Sequence, residues 1–109
     1  MTNEQINAAI AEACGWTDIH ESGPWHNHKL WGYPPELHGQ SGNTYKYVPD
    51  YCNDLNAMQQ AISILNKDQF VDFIWELMSL EHEPMLSTAR QRAEAFLRTL
   101  GKWEEEEEV

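Results

Sequence analysis

Four stretches of this chain repeat apolar residues every three or four positions, the period of an α-helix with one buried face. In the last of them Ala89, Ala93, Phe96, Leu97 and Leu100 share a face. Thr88 and Gln91 stand in the capping-box relation at its start, and Gly101 suits the left-handed residue that ends a helix. Arg90, Glu94 and Arg98 are spaced four apart on another face, where their charges can pair. The first stretch is built alike: Thr2 with Gln5 at the start, Ile6, Ala9, Ile10, Ala13 and Cys14 as the stripe, Gly15 as the stop. Trp16 is expected to fold back onto that helix end. A third helix is expected after Asn53 or Asp54, with Leu55, Met58, Ile62 and Leu65 inward. A fourth is expected over residues 69–80, with Phe70, Phe73, Ile74, Leu77 and Leu80 inward; its β-forming side chains leave a strand over residues 70–75 as the competing reading. Pro84 separates it from the last helix.

Residues 16–52 lose the helical period and are rich in Gly, Pro, His, Trp and Tyr. Short strands are expected near residues 25–31 and 44–48, with turns at 34–35 and 39–43. The outline is an α+β fold, α/β sandwich-like, with a small, mostly antiparallel sheet packed against about four helices. One domain over residues 1–103 is expected, followed by an acidic tail over residues 104–109.

Composition narrows the function classes. A chain of 109 residues is long enough for one core, and no apolar run approaches the length of a membrane span. The first residues lack the basic-then-apolar pattern of a secretory leader, so none is expected. Cys14 and Cys52 are too isolated for a metal-type pair and read as reduced thiols in a cytosol, with a disulfide as the alternative. The formal charge is −11, of which Glu104–Glu108 supply five. That run reads as a solvated tail; the functional alternative is an arm for a basic partner or an imitation of nucleic acid. Seven cations among eighteen anions disfavour direct binding to a phosphate backbone.

The chemically capable side chains concentrate in one segment. His20, His26, His28 and His38 lie within nineteen residues, with Trp25 and Trp31 among them. On a strand His26 and His28 would share a face, as zinc ligation requires, with Asp18, Glu21 or Glu36 to complete a site. No third ligand follows at a recognisable spacing, and locally hydrogen-bonded histidines are the simpler reading. His82 reads as an exposed helix-end residue. No nucleophile elbow, phosphate loop or paired zinc-protease histidines occur, so no catalytic residue is assigned and an enzyme is not expected. Trp16, Trp75 and Trp103 read as core or helix-end staples. Trp25, Trp31, Tyr33 and Tyr51 read as core first, and as the lining of a groove or interface second.

Three blocks of wording add a resemblance. Residues 10–16 (IAEACGW), 48–58 (VPDYCNDLNAM) and 88–103 (TARQRAEAFLRTLGKW) resemble, in that order, the phage ABA sandwich domain family, small proteins of bacteriophages and prophages. Residues 21–43 and 68–86 carry no such wording. The resemblance implies a helical layer on either side of a small sheet, and a protein made in the cytoplasm of an infected bacterium. It supplies no catalytic residues. The function expected on these grounds is non-enzymatic binding of a host protein or host signalling ligand, in host takeover or counter-defence, through Trp25, His26, His28, Trp31 and Tyr33. The alternatives are a zinc-binding protein using His20, His26, His28 and His38, and an acidic decoy that mimics nucleic acid. A homodimer is a further use for exposed aromatics.

Overall fold

The computed structural model describes residues 1–23, 29–35 and 45–105. Its elements are α1 (Asn3–Ala13), β1 (Thr17–Glu21), β2 (Leu30–Tyr33), β3 (Lys46–Tyr47), α2 (Leu55–Ile62), α3 (Lys67–Leu80), a 3-10 turn (Pro84–Leu86) and α4 (Ala89–Thr99). The strands form one antiparallel sheet in the order β1-β2-β3. This is the α+β arrangement the periodicities imply.

The helix ends follow from their residues. Thr2 and Thr88 cap α1 and α4 with complete capping boxes, closed by Gln5 and Gln91. Asn66 and Gln69 do the same for α3, which therefore starts at Lys67, earlier than its apolar period indicates. Asp54 caps α2 by accepting from the amides of Asn56 and Ala57. Gly15 and Gly101 both have positive φ, and the next residue's amide reaches back to Ala11 and Leu97 respectively. Each is the paired carbonyl closure that terminates a helix on a left-handed residue.

The core is where α1, α2 and α3 meet α4. Ile6, Ile10, Met58, Phe96 and Leu97 are fully buried, and Ala93 and Ala95 let neighbouring backbones approach α4 closely. Tyr51 and Cys52 are buried with them, just before α2. Three residues expected inward are not: Leu55, Phe70 and Trp75 lie 48%, 45% and 66% exposed. The apolar arc of α3 is wider than the strip that α4 covers, and Phe73 and Leu77 occupy that strip. The strand reading of residues 70–75 gives way to helix.

The charged face of α4 pairs in part as its spacing implies. Arg98 Nε lies 3.2 Å from Glu94 and its Nη2 lies 2.8 Å from Glu105, the second residue of the acidic run. Arg90 instead donates to Asn3 Oδ1 at 2.9 Å, tying α4 to α1. The Trp103 ring lies against both guanidiniums, 5.8 Å from Arg90 and 5.3 Å from Arg98. Residues 106–109 of the tail lie outside the described residues. No helix among the described residues is long and apolar enough to cross a membrane.

The sheet carries the surface of interest. Alternation along β2 puts Gly32 on one face and Trp31 and Tyr33 on the other. Gly32 is buried, and a Cβ there would sit 3.1 Å from the Trp16 ring and 3.2 Å from Ile19. Trp16, Ile19 and Val48 pack in turn on the helical core, so this is the inner face.

Candidate functional site: an aromatic sheet face beside a polar groove

Of the strands expected near residues 25–31 and 44–48, the described residues place one at Leu30–Tyr33, running two residues past its expected end, and one at Lys46–Tyr47; residues 25–28 and 44 lie outside the described residues. Register then does what spacing alone could not. Trp31 stands opposite Tyr47 across β2 and β3, and opposite His20 across β1 and β2. The Trp31 and Tyr47 rings lie 4.0 Å apart between centroids, Tyr33 and Tyr45 lie 6.2 Å apart, and Tyr45 meets His20 edge-on at 5.8 Å. Four aromatic rings and an imidazole thus line one face. Tyr45 and Tyr47 expose 39% and 45% of their surface. Lys29 places its ammonium 5.0 Å from the Tyr47 centroid, a cation–π contact at the rim.

Of the residues singled out in sequence, Trp31, Tyr33 and His20 belong to this face. Trp25, His26, His28 and His38 lie outside the described residues. His20 Nδ1 is 2.9 Å from the carbonyl oxygen of Asp18, a residue held at φ 53° where β1 departs from regular pairing with β2. The described residues contain no group of three or more His, Cys, Asp or Glu side chains arranged to hold a metal ion. Tyr51 belongs to the core. Tyr45 and Tyr47 read in sequence only as strand formers, and their ring partners follow from the register.

Tyr47 also borders a groove of about 470 Å³ between α1 and residues 47–53, within the size range of small-molecule sites. The groove is polar. Asn7 and Asn53 each donate to one oxygen of the Asp50 carboxylate, at 3.1 and 3.0 Å. Asn7 Oδ1 in turn accepts from the Cys52 amide at 3.2 Å. These bonds fix the wall in one arrangement. Glu4 and Asp50 supply negative charge and Lys29 positive charge at the opposite side. Such a lining suits a polar ligand that both donates and accepts hydrogen bonds, with one planar or apolar side against Tyr47.

Neither thiol is set up as a nucleophile. Burial pushes the Cys14 thiol above its ordinary value, an effect that its hydrogen bond with Tyr51 partly offsets. Burial likewise pushes Cys52 up to about 11, with Arg90 opposing and Asp50 and Glu4 reinforcing. Both cysteines are free. A thiolate is the reactive form, so iodoacetamide at pH 8 should modify Cys52 only after denaturation. The linkage has a definite sign. Between pH 9 and about 11 the folded protein keeps a proton that the unfolded chain loses, so stability falls as pH rises through that window. Urea titrations at pH 8 and pH 10.5 should show a smaller loss for Cys52→Ala than for the parent.

No family model, curated protein or solved structure matches this chain.

Proposed function

We propose that the protein acts by binding rather than by catalysis, as a phage accessory protein that engages a host protein or host signalling ligand, with counter-defence as its setting. The observation that carries the binding reading is the ring-bearing sheet face, with Tyr45 and Tyr47 open to solvent beside their tilted ring partners Tyr33 and Trp31. Tyr and Trp give large contact area for little conformational entropy, which is why binding energy concentrates on them. The rings sit on strands whose opposite face is anchored to the core through Gly32, Trp16 and Ile19, so the surface is preorganised. The adjoining groove gives the same surface a pocket for a small polar ligand. Provenance rests on the family wording of residues 10–16, 48–58 and 88–103.

The test is native mass spectrometry of untagged protein taken from phage-infected cells, repeated on the double variant Tyr45→Ala, Tyr47→Ala. A retained species in the parent, at least about tenfold depleted in the folded double variant, supports the reading, since truncating a hot-spot aromatic costs about 2 kcal/mol or more. Equal retention by both proteins would overturn the assignment to the sheet face. A mass of several kilodaltons or more identifies a host protein, and one of a few hundred daltons a small ligand.

A further inference from the structure

The chain carries a second apolar surface, on the opposite kind of element. Along α3, Phe73 and Leu77 face α4, and the apolar arc continues past them through Phe70 and Ile74 to Val71, Met78 and Trp75. At 3.6 residues per turn that arc covers more than half of the circumference, where a helix buried on one side needs about a third. Trp75 is 66% exposed, and Met85 in the following turn is 92% exposed. Between Met85 and the Phe70–Ile74 side of α3 runs a groove of about 210 Å³, lined also by Ile62, Phe73 and Leu77; Trp75 lies outside it, further round the helix. Large apolar side chains clustered in this way on a surface mark an interaction site.

The charges around it indicate the occupant. Asp68, Asp72 and Glu76 recur every four residues along the solvent edge of α3, beyond Trp75, and Glu81 and Glu83 follow the helix. Two cations offset them: Lys67 in the first turn of α3, and Arg92 in the groove wall, whose Nε is engaged by Ser87 Oγ at 2.9 Å. A second copy of this chain would bring a further −11 against that edge. A partner with basic residues beside an apolar stripe meets complementary charge instead. Met85 at the groove and Met78 on the adjoining exposed face adapt their shape to the side chains they receive.

We propose that α3 and the Pro84–Leu86 turn form a docking surface for a basic amphipathic helix of a partner protein. The partner helix lies along Ile74, Met78 and Trp75, the face between the groove and the acidic edge, and inserts one apolar side chain into the groove past Ile74 and beside Met85, with its Lys or Arg residues over Asp68, Asp72 and Glu76. This is the helix-in-groove mode of recognition. It is independent of the sheet face, and either surface can fail its test without the other.

The experiment uses fluorescence anisotropy with two labelled 18-residue peptides of identical leucine spacing, one with lysine and one with glutamate at the polar positions. The full chain is expected to bind the lysine peptide, more weakly as salt rises, and to leave the glutamate peptide free. Trp75→Glu decides whether the apolar surface matters. It makes the protein more acidic, so purely electrostatic attraction would strengthen, whereas docking on α3 predicts a loss of at least tenfold. Met85→Ser, at a position with little folded contact to lose, should weaken binding in the same direction. Tyr45→Ala with Tyr47→Ala should bind the peptide as the parent does. Unchanged or tighter binding by Trp75→Glu would overturn the proposal, as would equal binding of the two peptides. A dimer in sedimentation that Trp75→Glu dissolves would instead assign the surface to a second copy.

Discussion

Phe96→Ala should lower stability by about 3–5 kcal/mol, the range for deleting a fully buried aromatic side chain. Phe96 has no exposed surface and lies in the stretch of α4 that α1, α2 and α3 share. Its neighbours Ala93, Ala95 and Leu97 are equally buried, and the two alanines have no side-chain length with which to fill the void. The lost burial and the residual cavity therefore add. Small domains are stable by roughly 5–15 kcal/mol in total, so this one substitution removes a large share. Thermal unfolding should shift down by roughly 12–30 °C, at about 4–6 °C per kcal/mol for a domain near this size. Urea denaturation should show a lower midpoint with an unchanged slope. Leu86→Ala, at a side chain 70% exposed, should change stability by less than about 0.5 kcal/mol. If Phe96→Ala unfolded no more easily than Leu86→Ala, the packing of α4 at the centre of the core would be wrong.

Much of the helical framework is legible in sequence because its signals are local. Thr2 with Gln5 and Thr88 with Gln91 place two helix starts, and Gly15 and Gly101 place two ends, through backbone groups a few residues away. What a helix packs against is not local, and α3 shows the consequence. Phe70, Phe73, Ile74, Leu77 and Leu80 all fit one period, yet only Phe73 and Leu77 are buried, because the direction of α4 selects them. Trp75 reads as core by residue type and is the most exposed of the apolar residues of α3.

The sheet was less legible for a different reason. The strand Thr17–Glu21 reads Thr-Asp-Ile-His-Glu, with four of five residues exposed and Ile19 as its single apolar member. Its place in the sheet comes from pairing with β2, and a register shift between Thr17 and His20 breaks any alternation. The candidate site divides similarly. Trp31 and Tyr33 share a face by their spacing of two only once β2 runs through Tyr33, past the end that sequence indicates near residue 31. That Tyr47 stacks on Trp31, and that His20 and Tyr45 join them, depends on two inter-strand registers that no composition encodes.

Gly32→Val should both destabilise the protein and disturb that face, which makes it the sharpest test of how the two sides of the sheet are coupled. The Cβ position of Gly32 already lies 3.1 Å from the Trp16 ring, 3.2 Å from Ile19 Cγ1 and 3.4 Å from the carbonyl oxygen of Thr17. The two methyl groups of valine reach further into the same space. Trp16 is held from behind by the core and Thr17 by the β1–β2 pairing, so the strain falls on the sheet. Overpacking of this kind costs about 1–3 kcal/mol. Valine's β-branched preference for strands opposes the loss by less than about 1 kcal/mol, so the contact decides the sign. Gly23→Ala is the matched control, since a Cβ there meets nothing within 4 Å and the two stabilities should agree within about 0.5 kcal/mol. Near-ultraviolet circular dichroism should separate the two outcomes of Gly32→Val. A changed aromatic signal in a still-folded variant would show that Trp31, one peptide away on the outer face, and its cross-strand partner Tyr47 move with the inner contact. An unchanged signal with unchanged stability would mean that Trp16 and Ile19 yield freely, and that the outer face is held by its own ring contacts alone.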